Sequence, residues 1–521
     1  MRKYRIRYRC TFLLFLITSL CVGQVSARQF QAGPTPLPSK IRSSRSGSQH
    51  SITGSQDFNI LRFGATSDTT KLSTTAINQA IDACFQSGGG KVIIPPGHFK
   101  SGTITLKDNV ELYLERGAVL YGSTDHQDYP RQSQPAYRSQ KDPGGWYALI
   151  YAEGAKNIGI RGFGTIDGQG AGQLPRPVPK GFEDRDGRPR NILFISCKNI
   201  TIENVTMQNS GIWNQHYLDC ENIFIDHIRV YNHSNRNNDG IDLDGCRQVV
   251  LSNSLFDSDD DGITLKSTGA APCEDIAITN CIASSFCNAI KCGTESTGGF
   301  KNIAITNCIV RPSACLTAPI WKTPRNGQAG IALEIVDGGV MDGVTVNNVI
   351  IDGTECPIFV RLGNRARKHM AEAPEPPFGI MRNIAISNIT AYNTGNNSSS
   401  ITGVPGADIE NITLDNIQLV NKGGLKADEY ISDFTKVPEK EKEYPDPDRW
   451  GNLPSYGFFI RHVKDISLTN IRLRSLSKEG RVPILADDVG NIFISNLRTD
   501  SSTERQVQLN RVGTYKKIPA E

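Results

Sequence analysis

The sequence predicts an all-β chain folded as a single-stranded parallel β-helix, in which short strands wind into stacked coils. Three observations carry that expectation. A motif of the form x-Asn-Ile-x-Ile-x-Asn-apolar recurs along the chain, with neighbouring copies commonly about 23 to 28 residues apart. Each copy places two apolar residues at i and i+2, the mark of a short strand with one buried face. A period in the twenties is too short for a four-stranded propeller blade and too rich in strand for a helical repeat. It suits one solenoid coil of two or three strands with turns between them.

The elements follow in order. Met1 to Arg9 is basic, Thr11 to Val22 is apolar, and Val25-Ser26-Ala27 offers small residues for cleavage. That succession is an export signal over residues 1–27. The apolar run is too short to span a membrane, and Leu20 precedes Cys21 where a lipoprotein signal has a small residue. The expectation is a secreted or periplasmic protein with no membrane anchor. Residues 28–56 are rich in Ser, Arg, Gly and Gln and read as a flexible linker. Residues 57–521 are then expected to form one β-helix domain. Thr74 to Cys84 has a helical pattern, Gly88-Gly89-Gly90 ends it, and Lys91-Val92-Ile93-Ile94-Pro95 reads as a strand.

The repeat copies are Lys198 to Val205, Glu221 to Ile228, Glu274 to Cys281, Lys301 to Cys308, Arg382 to Ile389, Glu410 to Ile417, Lys464 to Ile471 and Gly490 to Leu497. Arg247 to Ser254 and Asp342 to Val349 are looser copies. Asn recurs at the seventh place, from Asn204 to Asn496, and a stacked asparagine ladder at each bend is a structural device. Leu425 to Tyr456 breaks the pattern with Glu439-Lys440-Glu441-Lys442-Glu443 and four prolines, and is expected to be a long surface loop, solvated in preference to walling a site.

Composition narrows the function. The net charge of +4 is small for 521 residues, with charged residues at 21%, so nucleic acid is not an expected partner. Two of the 13 cysteines lie in the signal, and the odd number that remains points to buried thiols rather than a disulfide framework. Nothing in the spacing suggests zinc. A monomer is expected.

A second motif carries the chemistry. Asp239-Gly240-Ile241-Asp242-Leu243-Asp244 is followed 22 residues on by Asp261-Gly262-Ile263-Thr264-Leu265-Lys266, and 27 residues later by Asn288-Ala289-Ile290-Lys291-Cys292. Each interval is one coil, and stacked strands lie about 4.8 Å apart. Asp239, Asp261 and Asn288 should therefore form one column, with Asp260 beside it. Clustered carboxylates cannot all ionise, so one stays protonated as a general acid while a neighbour acts as base. Glycoside hydrolysis uses such a pair. The Asp-rich run from Asp257 to Asp261 also suits Asx-turns or a calcium site, and spacing leaves those readings open.

The order Asn237-Asn238-Asp239-Gly240-Ile241-Asp242, then Asp260-Asp261-Gly262-Ile263-Thr264-Leu265-Lys266-Ser267, resembles the pectin-degrading glycoside hydrolases of family 28, the polygalacturonases. Phe63-Gly64-Ala65, Val92-Ile93-Ile94-Pro95 and Gly164-Thr165-Ile166-Asp167-Gly168 are similar too, so the resemblance covers about residues 57 to 500. It implies a right-handed β-helix and hydrolysis with inversion, without a cofactor or metal. By that pattern Asp260 is the general acid, while Asp239 and Asp261 hold and activate the water.

Two departures accompany the resemblance. The family's Gly-His-Gly histidine falls on Asn288, and its Arg-Ile-Lys falls on Ala332-Leu333-Glu334. Asp242, Thr264, Lys291 and Ala332 are expected in one outward column, and Asp244, Lys266, Gly293, Glu334 and Arg361 in the next. Lys291 with Arg361 is the candidate replacement for the missing grip on a substrate carboxylate, Lys266 stands beside the aspartates, and local ion pairs such as Glu334 with Arg361 are the alternative. Trp213, one coil before Asp239, either stacks on a sugar or caps the core, and His216 is read as a candidate substrate contact or a structural histidine.

The expected partner is therefore a pectic polysaccharide or oligosaccharide, with neutral sugars among the possible units. Two other functions remain from sequence. One is a β-helix lyase using calcium and a basic residue. The other is a non-catalytic carbohydrate-binding β-helix, which gives no reason for three converging aspartates.

Overall fold

The computed structural model describes residues 57–132, 136–140, 147–173, 187–316, 326–502 and 505–519. The signal and linker expected over residues 1–56 lie outside the described residues. Strands run from Asp57–Asn59 to Val507–Ile518 and join into one sheet in which each pairs with the strand one coil away, always in parallel. The chain is a parallel β-helix.

Each coil contributes three strand faces, the upper end of what the period allowed. One is the motif face, exemplified by Lys198–Glu203 stacking on Glu221–Asp226. A second carries Thr206–Gln208 on Arg229–Asn232. The third, here called the site face, carries Gln215–Leu218, Ile241–Asp244, Ile263–Ser267, Asn288–Ser296, Gly327–Ile335 and Thr354–Leu362. Aliphatic columns such as Ile241, Ile263, Ile290, Ile331 and Ile358 fill the interior, all fully buried. Burying one such side chain contributes about 1.5–3 kcal/mol. One continuous core runs from Phe58 to Leu497. The helix Thr74–Gln86 closes one end, burying Ala76, Ile77, Ala80, Ile81 and Cys84 as its periodicity predicts.

The asparagines explain how the coil turns. Asn280, Asn307, Asn348, Asn388, Asn416, Asn470 and Asn496 all take left-handed backbone angles, with φ between 51° and 55°. Asparagine tolerates that conformation better than other residues with a Cβ. Their amides also bond one another along the stack, as in Asn348 to Asn307 at 2.8 Å and Asn496 to Asn470 at 2.8 Å. A second ladder, formed by the first Asn of the motif, was not foreseen. Asn157 donates to Asn109 at 2.8 Å, Asn199 to Asn157 at 2.7 Å and Asn222 to Asn199 at 2.8 Å.

The eleven described cysteines are free thiols, most of them buried. Several donate to carbonyls, as Cys246 Sγ does to Tyr217 at 3.1 Å. The segment expected to be a solvated loop instead packs down on the site face. Val437, Trp450 and Leu453 are buried against Phe359, Phe459 and Leu485, and two short 3-10 turns, Phe434–Lys436 and Pro447–Trp450, shape it. Its apolar residues are spaced among the charges, and those charges hid them from a compositional reading.

Candidate active site

Register sets the site. His216, Asp242, Thr264, Lys291 and Ala332 form one column of directly paired residues, and Glu334 pairs with Arg361 in the next. The pairing of Ile241 with Ile263 and of Ile263 with Ile290 places Asp239, Asp261 and Asn288 in line just before them. The amide of Asn288 bonds Asp261 directly, through N at 3.2 Å and Nδ2 at 2.9 Å, both to Oδ1. The glycine after each aspartate is required by the close approach of coils. A Cβ on Gly240 would meet the carbonyl oxygen of Gly262 at 2.5 Å, and one on Gly262 that of Ala289 at 2.5 Å.

Carboxylates crowd this face. Asp239, Asp242, Asp261, Glu295 and Glu334 are all buried, and Asp260 is partly exposed. Two lysines serve them. Lys266 Nζ lies 3.9 Å from Asp239, 3.6 Å from Asp242 and 3.5 Å from Glu295. Lys291 Nζ lies 3.1 Å from Asp261 and 3.9 Å from Glu334. Two like charges 4 Å apart in a partly buried site repel by about 4 kcal/mol. Two ammonium groups cannot offset five buried carboxylates, so the cluster retains protons.

Those protons are unevenly distributed. Burial pushes Asp239 well above the ordinary carboxylate range, and Asp242 and Asp260 push it further. Burial raises Asp242 to about 7, against the opposing field of Lys266. Asp260 is raised by burial and then by its neighbour Asp261. Burial alone would raise Asp261 too, but Lys291, Lys266 and the Asn288 amide outweigh it and hold this carboxyl below its usual value. Burial lifts Glu334 to about 8 even with Lys291 opposing. Both lysines are held charged, since their carboxylate neighbours overcome the burial that would neutralise them.

The other residues singled out in the sequence take distinct places. Asn237 donates to Asp260 at 3.2 Å, and Arg188 in turn donates to Asn237 at 3.2 Å. Trp213 is buried, stacked edge-on to His216 at 5.0 Å, with Lys266 over its ring at 4.8 Å and Arg190 at 5.2 Å. His216 is fully buried and shares a hydrogen bond with Asp244 at 3.0 Å; burial lowers it to about 4. Arg361 stands two coils past Asn288. Its guanidinium donates to Gly403 O at 2.8 Å, Thr402 at 3.3 Å and Glu439 O at 2.5 Å, and lies over Trp450.

Asp242, Glu295, Tyr444 and Asp446 were not picked out from sequence as members of the site. Asp242 and Glu295 lie on the aligned strands, and their outward positions were a usable signal. Tyr444 comes from the long loop. Its hydroxyl lies 3.4 Å from Lys291, which donates to it, and the residue is 39% exposed. Burial raises its neighbour Asp446 to about 6.

Comparison with known proteins decides the family. Residues 84–440 match the profile described as "Glycosyl hydrolases family 28". The chain belongs to glycosyl hydrolase family 28. Within it, the chain is 28% identical over 250 residues to an exo-poly-alpha-D-galacturonosidase of Dickeya chrysanthemi, covering 40% of this chain and 41% of that protein. It is 29% identical over 216 residues to a probable polygalacturonase of Vitis vinifera, covering 40% of this chain and 44% of that protein. The chain thus spans less than half the length of either relative. An exopolygalacturonase from Thermotoga maritima shares the fold, with a TM-score of 0.58 and 22% identity over 70% of this chain and 87% of that one. The fold is the right-handed parallel β-helix of this family 28 group.

Proposed function

We propose that this family 28 chain is an exported glycoside hydrolase that cleaves a glycosidic bond in pectic polysaccharide or its oligosaccharides, with inversion. One observation carries the reading. Asp260 and Asp261 are adjacent in sequence yet partnered differently: the Lys291 ammonium and two Asn288 N–H groups hold Asp261, while Asp260 is partly exposed and accepts from the neutral Asn237 amide. Paired carboxyls whose surroundings separate them divide into an acid and a base. Asp260, the more exposed of the two, is the general acid that protonates the leaving oxygen. Asp261, kept ionised by Lys291 and Asn288, takes the proton of the attacking water. Asp239, raised by burial and by the charge of Asp242, orients that water. Asn288 acts by fixing Asp261 in place, and Trp213 and His216 build the wall behind the aspartates. The basic, apolar and small-residue order of Met1 to Ala27 supports export.

The test is a panel of defined pectic oligosaccharides, with products followed by NMR at the anomeric carbon. Wild type should release the inverted anomer, and Asp260→Asn should lose about 10²–10⁴-fold in kcat. A retained anomer would contradict inversion. Unsaturated product ends would replace hydrolysis with elimination.

A further inference from the structure

The hydrolase reading leaves open which sugar sits at the aspartates, and the charges around them address it. The cations nearest the aspartates are already engaged. Lys266 faces three carboxylates and Lys291 two. Arg365 is paired with Asp337 at 2.5 and 3.0 Å, Arg361 with Gly403 and Glu439 carbonyls, and Arg190 lies on the Trp213 ring. Lys291 is also sealed from solvent at 1% exposure, between Asp261, Glu334 and the Tyr444 hydroxyl. Glu334 is fully buried and neither of its oxygens has a hydrogen-bond partner.

A cluster that already holds more carboxyls than it can ionise resists one more. A sugar carboxylate brought here would repel Asp261 across a site of low polarity or force a further proton uptake. An uncharged ring meets no such cost. Tyr444, 39% exposed as a residue, stands with its ring 5.4 Å from the Lys291 ammonium and 5.9 Å from Arg365, an aromatic of the kind that packs against the C–H surface of a pyranose.

Building on the hydrolase reading, we propose that the sugar ring held between Tyr444 and the Asp260–Asp261 pair is a neutral pyranose, not a uronate. The substrate is then a pectic glycan in which a neutral sugar occupies the reacting position. Lys291 and Lys266 are positioning residues that balance the aspartates and do not grip a substrate carboxylate.

The experiment compares two ligands that differ only in charge: α-1,4-linked trigalacturonate and the same trisaccharide with its carboxylates reduced to alcohols. Each is titrated calorimetrically into the full chain carrying Asp260→Asn, at low and high salt. The neutral trimer should bind at least about tenfold tighter. The acid trimer should bind better as salt rises, because screening weakens repulsion. Equal or tighter binding of the acid, affinity for it that falls with salt, or no binding of either trimer would each overturn the proposal. Lys291→Met should weaken both ligands alike, and a loss confined to the acid trimer would restore the grip. Undiminished hydrolysis by Asp260→Asn would instead sink the acid assignment, so the two failures are distinguishable.

Discussion

At Asp261, three groups converge on one carboxylate: the Asn288 backbone N–H, the Asn288 side-chain amide and the Lys291 ammonium. Together they hold it ionised in a site whose burial favours the neutral acid. The sign of its pH dependence follows. A carboxyl lowered in the folded state stabilises the fold above its unfolded value near 3.8, and that contribution is lost as pH falls through the folded value. Lys291→Met should therefore shift the acidic limb of the kcat/KM profile to higher pH and lower the rate at neutral pH by tenfold or more. It should also destabilise the chain by about 3–5 kcal/mol, since it leaves the ionised Asp261 buried without its nearest cation. A pH–rate profile and denaturant unfolding read the two effects. An unmoved acidic limb would contradict the pairing.

Single coils show why some of this was readable in the sequence. Spacings of 22 and 27 residues put Asp239, Asp261 and Asn288 in line, and the strand register places Asp242, Thr264, Lys291 and Ala332 as the alternation requires. A strand period of two fixes these positions as far as Leu265. The register then slips and Ser267 pairs with Ser296, so Lys266 and Gly293 do not pair as the spacing predicts. What each outward side chain then touches was not readable. Glu334 lies against Lys291 while Arg361 turns to the Gly403 and Glu439 carbonyls, because ion-pair choice depends on distances a repeat does not encode. The coil contact makes its own predictions. Gly262→Ala drives a methyl against the Ala289 carbonyl and should cost about 1–3 kcal/mol. Asn307→Ala loses the bond from Asn348 and keeps a left-handed backbone without asparagine's tolerance, at about 1–2 kcal/mol. Denaturant midpoints check both, and an unchanged midpoint for Gly262→Ala would show that the coils yield.

Across the molecule, the long segment before Tyr456 joins distant coils to the site. Tyr444 lies 153 residues from Lys291 in sequence, a separation no local pattern reveals. Arg361, Arg461 and His462 tie the segment down through Glu439. His462 is buried between Glu439 at 3.1 Å and Asp488 at 2.7 Å, with Arg461 and Arg511 on the same acids. Burial would lower its pKa, but the two carboxylates outweigh burial and raise it. A histidine raised on folding stabilises fully below its unfolded value near 6.5, and that contribution is lost as pH rises through the folded value. The segment should thus become more sensitive to proteolysis as pH rises above about 6.5 and through the folded value. His462→Gln should remove that pH dependence, and limited digestion with mass mapping of residues 425–456 measures it. Sensitivity that is flat with pH in wild type would contradict the tether.

The division of labour between Asp260 and Asp261 is tested most directly by the leaving group. An aryl glycoside whose phenolate departs without protonation needs no general acid. Against such a substrate Asp260→Asn should recover by at least tenfold relative to its loss on the natural linkage, while Asp261→Asn should recover nothing, because its missing step is the attack of water. Equal losses for the two variants on both substrates would contradict the assignment of acid and base.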